Sequence, residues 1–167
     1  MLRIVVCVVL LFALLVGCAA PSELETVNDQ ISEPQIPAAQ VRVELPEGAV
    51  LAVFENDDAA RLYLCQGYEI SVQTLPGGDL NETLQTVTGY SRDKLTVIER
   101  QWQGMKRMDL AWATAGETGD QVGRIAILDD GTWHYVLSVL GDAASVETMA
   151  DDWEAIFRSF AVVSIVQ

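Results

Sequence analysis

Few residues in this chain could do chemistry. Cys65 is one, because a thiolate attacks electrophiles once a base or a cation lowers its pKa. The only histidine available as that base is His134. Arg61-Leu-Tyr-Leu-Cys65 reads as a strand, however, and a free cysteine in a strand is most often a small buried hydrophobe. His134 has no His, Cys or Asp cluster around it at metal-ligand spacing. It is expected on the outward side of a strand. Three adjacent carboxylate pairs stand out: Asp57/Asp58, Asp129/Asp130 and Asp151/Asp152. Glycoside cleavage needs two carboxylates facing each other across a cleft. A calcium loop needs Asp at alternate positions and a closing Glu. Neighbouring residues supply neither. The first two pairs fall in turns, where Asp suits the backbone geometry, and the third faces solvent on the last helix. Gly77-Gly78 precedes a helix without a GxGxxG or P-loop pattern, and Asp79 would repel an anion there. Asn81-Glu-Thr83 fits a glycosylation sequon, which matters only on a eukaryotic secretory route. No catalytic residue, metal site or cofactor is expected.

The elements that position these residues follow from periodicity. Val41 to Leu45 alternates, and Ala49 to Phe54 is a nearly continuous apolar run; both read as strands. Glu55 to Asp58 is a turn. After Arg61–Cys65, Tyr68, Ile70 and Val72 share one face of a further strand. At Pro76-Gly77-Gly78 the period changes. Asp79 and Glu82 resemble a capping box, and Leu80, Leu84 and Val87 form one helical stripe that ends at Gly89 or Ser91. Leu95–Trp102 and Met105–Trp112 are strands, with Met108, Leu110 and Trp112 alternating with Arg107, Asp109 and Ala111. Residues 116–120 form a loop. Val122–Leu128 and Trp133–Leu140 are joined by the tight turn Asp129-Asp-Gly131. Val146, Met149, Trp153, Ile156, Phe157 and Phe160 give the last helix a wide apolar face. Asp142 or Ser145 caps it, and Glu147 and Arg158 suit its dipole. Residues 161–166 finish as a short strand or tail. Trp153 belongs to the core, and Trp112 and Trp133 pack on the sheet. Trp102 sits at a strand end, where an exposed indole could mark a sugar or protein contact; partial burial at the sheet edge is the plainer reading. Strands, helix, antiparallel strands, helix and strand, without β-α-β alternation, define the α+β class: an antiparallel β-sheet packed with two main α-helices.

Charge narrows the partners. The chain carries 24 acidic and 10 basic residues, a net charge of −14. Nucleic acid demands a basic footprint, so it is excluded as a partner. An anionic lipid surface is disfavoured for the same reason. Excess acid keeps a protein soluble and monomeric, and a monomer is expected.

The N-terminus carries the sharpest signal. Arg3 is the only charge before Glu23, and residues 4–16 are almost wholly apolar. This stretch is shorter than the roughly 20 residues of a transmembrane helix. It ends on Leu15-Val16-Gly17-Cys18, branched apolar, then small, then Cys. An ordinary signal peptide with cleavage after Gly17 or Ala19, or a single-pass anchor, is the competing reading. The arrangement resembles a bacterial lipoprotein signal peptide with its lipobox. That resemblance implies a diacylglyceryl group on the Cys18 thiol, cleavage before Cys18, and acylation of the freed amine. Two acyl chains anchor far better than one. Cys7 would leave with the signal, so Cys65 would remain without a disulfide partner. Residues 1–17 are then a signal peptide and 18–40 a disordered tether, rich in Pro, Ser, Glu and Gln, spanning on the order of 25 Å. Residues 41–167 form a single α+β domain, large enough for a core without staples.

From about Gly67 to Val163 the chain also resembles the PsbP-like proteins. The likeness lies in Tyr68-Glu-Ile-Ser-Val, the helix after Gly78-Asp-Leu, Asp129-Asp-Gly-Thr-Trp-His-Tyr-Val-Leu-Ser and Trp153-Glu-Ala-Ile-Phe-Arg-Ser-Phe160. The family includes a photosystem II extrinsic subunit, a small Ran-binding protein and many bacterial lipoproteins. The strands at Val41–Cys65 depart from its pattern, leaving their order open. The resemblance implies no catalytic motif. Together these readings give a lipid-anchored, extracytoplasmic, non-catalytic binding or accessory module. Its expected place is the cell membrane, or the outer membrane in a diderm, beside an envelope protein partner. The alternative is a small-molecule carrier or enzyme using a pocket between helix and sheet.

Overall fold

The computed structural model describes residues 38–52, 60–116 and 119–163. The expected signal peptide, Cys7, Cys18, most of the tether, the Asp57/Asp58 pair and the turn at residues 55–58 lie outside these residues.

In chain order the elements are β1 (Gln40–Arg42), β2 (Val50–Ala52), β3 (Ala60–Cys65), β4 (Tyr68–Pro76), α1 (Leu80–Thr88), β5 (Ile98–Trp102), β6 (Met105–Gly116), β7 (Gly119–Asp129), β8 (Trp133–Asp142), α2 (Val146–Ser159) and β9 (Ala161–Val163). Among the described residues, seven strands form an antiparallel sheet in the order β2-β3-β4-β8-β7-β6-β5, and β1 pairs with β9 in a separate ribbon. The α+β architecture read from the sequence is the one observed. The open strand order at the N-terminal end is now placed: β2 and β3 extend the sheet beyond β4.

One helix covers each face of the sheet. Because side chains alternate along a strand, each long strand feeds two cores. Under α1, Leu84 packs with Met108, Leu110, Ile125, Ile127 and Val136. Under α2, Trp153, Ile156, Phe157 and Phe160 pack on Tyr68, Ile70, Leu128, Tyr135, Leu137 and Val139. Strands β7 and β8 are therefore buried on both faces, which explains their nearly unbroken apolar runs.

Local chemistry fixes the helix ends. The Asp79 carboxylate accepts the Asn81 N–H at 2.8 Å, and Gly89 ends α1 in the left-handed conformation, φ 77°. That stop follows from glycine's tolerance of positive φ. The expected capping of α2 is not observed. Ser145 stands at the N-cap but its side chain makes no capping bond, and Asp142 precedes a 3₁₀ turn, Ala143–Ser145. Thr148 Oγ1 donates to the Ser145 carbonyl, which leaves the N–H groups of the first turn uncapped by a side chain.

The domain takes hold of the chain ahead of Val41. Ala38 and Ala39 pack on the α2-side core, and the Ala39 N–H donates to the Tyr135 hydroxyl at 3.0 Å. That hydroxyl in turn donates to Asp130 Oδ2 at 2.8 Å.

Gly123 has a packing role. It pairs with Trp112 across the β6–β7 ladder, and a Cβ there would lie 2.2 Å from the indole ring. Gly123→Val forces the indole off its site. It is expected to destabilise the domain by roughly 1–3 kcal/mol, read as a lower thermal midpoint with the fold retained.

Candidate functional site

The residues with chemical potential do not converge. His134 is not on an outward face: it is 2% exposed beneath α1, and its Nδ1 lies 2.7 Å from the Thr83 hydroxyl. The expectation failed because α1 covers that face of β8. The pair Thr83–His134 fastens helix to sheet. Cys65 belongs to the opposite face, packing beside the α2 core, and is half-buried rather than fully buried. It sits at the other end of β4 as well: Cys65 pairs with Tyr68, whereas His134 pairs with Leu75. No Cys–His dyad can form across both a sheet and the length of a strand. Burial pushes the Cys65 thiol up, and Asp152 adds to this against a lowering hydrogen bond from Tyr68. A thiol so placed is a weak nucleophile at neutral pH.

The Asp129/Asp130 pair serves the backbone. Asp129 Oδ1 accepts the Gly131 N–H, and Asp130 Oδ1 accepts those of Thr132 and Trp133, all at 2.7–2.8 Å. Partial burial alone would raise the Asp130 pKa; the N–H groups of Trp133 and Thr132, then Tyr135 and His134, outweigh it and hold the carboxyl below its usual value. The sign is clear: this contribution to stability is present above the ordinary Asp pKa and is lost as pH falls through the lower, folded value. Asp151 and Asp152 face solvent on α2. Gly77 is not a phosphate cradle, since its N–H is taken by the Thr132 carbonyl at 2.7 Å. Among the described residues, no three His, Cys, Asp or Glu side chains group to hold a metal.

Sequence reasoning missed one arrangement. Arg107 alternates with buried Met108 and so reads as outward-facing, yet it is 2% exposed. It lies under α2, donating through Nε and Nη2 to the Asp109 carboxylate at 2.9–3.1 Å and through Nη2 to the Phe157 carbonyl at 3.2 Å. Asp109 also receives Arg100 at 3.0 Å. Trp102, half-buried, lies under the guanidinium groups of Arg100 and Arg107. The indole expected to be either exposed or edge-packed is thus a platform for two arginines.

Concave surface exists beside α1. A cleft of about 390 Å³ runs between the helix residues Thr86 and Val87 and the sheet residues Trp112, Ser71, Gln73 and Ser138. Ser71 and Ser138 pair directly across β4 and β8, and Gln73 Nε2 donates to Ser71 Oγ at 3.0 Å. Its size lies in the range of small-molecule sites, and its walls mix hydroxyl, amide and indole. The closed core under α1 therefore adjoins an open, mixed-polarity groove.

No protein-family model matches the chain, and no curated protein matches its sequence. Solved structures do match by fold. The Ran-binding protein Mog1p of Saccharomyces cerevisiae superposes with TM-score 0.51 at 15% identity, over 74% of this chain and 90% of that one. Cyanobacterial PsbP (CyanoP) of Synechocystis sp. PCC 6803 gives 0.50 at 11% identity, over 77% and 94%. LpqN, involved in cell envelope biogenesis of Mycobacterium tuberculosis, gives 0.50 at 11%, over 80% and 87%. The chain has the PsbP-like α+β fold, shared with Mog1p. Identity this low speaks for the fold alone, and one fold hosts many functions.

Proposed function

We propose that this protein is a lipid-anchored, extracytoplasmic binding module that serves an envelope protein or assembly without catalysing a reaction. The tetrad Leu15-Val16-Gly17-Cys18, closing a short apolar segment, carries the reading. The apolar stretch at residues 4–16 is shorter than the roughly 20 residues of a transmembrane helix, which favours attachment through acyl chains on Cys18. The scattered placement of Cys65, His134 and the carboxylates supports binding over catalysis. LpqN, which shares the fold and is involved in cell envelope biogenesis, supports an envelope role by analogy. The module works as a monomer, and its partner is a protein rather than nucleic acid. The address is the extracytoplasmic face of the cell membrane, or the outer membrane in a diderm.

Replacing Cys18 with Ala tests the anchor. The wild-type protein is expected in the membrane fraction of its cells and the variant in the soluble fraction. Retention of Cys18→Ala in the membrane would defeat the proposal.

The groove beside α1 favours a second reading, a carrier of a small molecule seated between Trp112 and the Ser71–Ser138 pair. A ligand that co-purifies and is lost in Trp112→Ala would establish it.

A further inference from the structure

The chain holds ten Lys and Arg residues against 24 Asp and Glu. Four of those ten line one recess of about 410 Å³ on the α2 face of the sheet. Arg100, Arg107 and Arg124 come from three successive strands, β5, β6 and β7, and Arg158 comes from the last turn of α2. Alternation puts the three strand arginines on one face, level with the end of the helix.

Among the described residues the carboxylates do not balance them. Asp109 is shared by Arg107 and Arg100, and Glu154 is taken by Arg158 one helical turn away. Arg124 remains. Its guanidinium lies over the Phe157 ring, 4.5 Å from the centroid, and makes no hydrogen bond or ion pair among the described residues. Its ladder neighbours, Ala111 and Val139, offer no side-chain acceptor. A guanidinium has five donors in a planar fork matched to a carboxylate or phosphate. Held over an aromatic ring in a half-buried setting, it is positioned before any ligand arrives. Arg100 and Arg158, both well exposed, stand at the mouth of the recess.

We propose that this recess binds a small anion bearing a carboxylate or phosphate group, with Arg124 as its principal contact and Arg100 and Arg158 closing over it. A recess of this volume admits a small ligand. A flat anionic bilayer would instead meet the surrounding surface of a chain at −14 and be repelled. The proposal deepens the binding-module reading and rests on it, but it is tested in solution, independently of Cys18.

The experiment is calorimetric titration of the full chain with inorganic phosphate and with citrate, at low and at physiological salt. Saturable binding that weakens with salt is expected for at least one probe. Arg124→Gln should reduce its affinity about tenfold or more, a loss near 1.4 kcal/mol. Arg158→Gln, at an exposed position paired among the described residues only with Glu154, should fold normally and weaken binding about threefold, less than a full 1.4 kcal/mol step. It keeps the test intact should Arg124→Gln fail to fold. Absence of saturable binding by either probe would overturn the proposal, as would unchanged affinity in either folded variant. Capture of the full chain by phosphatidylglycerol vesicles, with no binding of either soluble anion, would also overturn it in favour of a lipid headgroup surface.

Discussion

Asp109→Leu is expected to destabilise the domain by about 3–5 kcal/mol, because it strands a buried guanidinium. Arg107 lies under α2 at 2% exposure, and Asp109 supplies its carboxylate partner. Loss of Asp109 leaves the cation with the Phe157 carbonyl and the face of Trp102. Neither compensates a full charge out of water. In a domain of this size the loss should lower the thermal midpoint by roughly 10–20 °C. The double variant Arg107→Met/Asp109→Leu separates this cause from simple mispacking. Replacing both members of a buried pair with apolar groups is often neutral or stabilising. The double variant should therefore recover most of what the single variant loses. A double variant as unstable as Asp109→Leu alone would show that shape, not charge, is at stake.

Trp153→Ala should lose a comparable 3–5 kcal/mol. Trp153 is 4% exposed on α2, meets Tyr68 edge-on with centroids 6.1 Å apart, and presses close to Gly141. Truncation opens a cavity beneath α2. The indole has a second property: its Nε1 is buried without a hydrogen-bond partner among the described residues. An orphaned buried donor costs about 1–3 kcal/mol. Trp153→Phe removes that donor while keeping most of the ring volume, so its penalty should be far smaller than that of the alanine variant. Denaturant melts of the two variants check this directly. Equal losses would mean that the N–H does find a partner, and a near-neutral Trp153→Ala would remove α2 from the core.

The contrast between what the sequence conveyed and what it hid has a physical basis. Local signals were readable: Asp79 and Gly89 bound α1, the Asp129-Asp130-Gly131 turn closes β7–β8, and the stripe through Trp153, Ile156 and Phe157 faces the sheet. Each depends on residues close in the chain. The pairing of β1 with β9, and the placement of β2 and β3 beyond β4, depend on contacts distant in sequence and left no local mark. His134 was misplaced and the burial of Arg107 was missed for one shared reason. Alternation was read as inside against outside, whereas a helix covers each face. The unbroken apolar run from Tyr135 to Leu137, flanked by Trp133 and Val139, was the available warning, since strands buried on both faces lose the period of two. Arg124 could not be singled out, because its lack of a partner is a property of the assembled recess. Cys18 is the opposite case: it is singled out by the sequence alone and lies outside the described residues.

Mass spectrometry of the processed N-terminus, on protein recovered from its own membrane fraction, tests the central claim most directly. The expected species is a chain beginning at Cys18 with a diacylglyceryl group on its sulfur. A chain that begins elsewhere, or a Cys18 with a bare thiol, would contradict it.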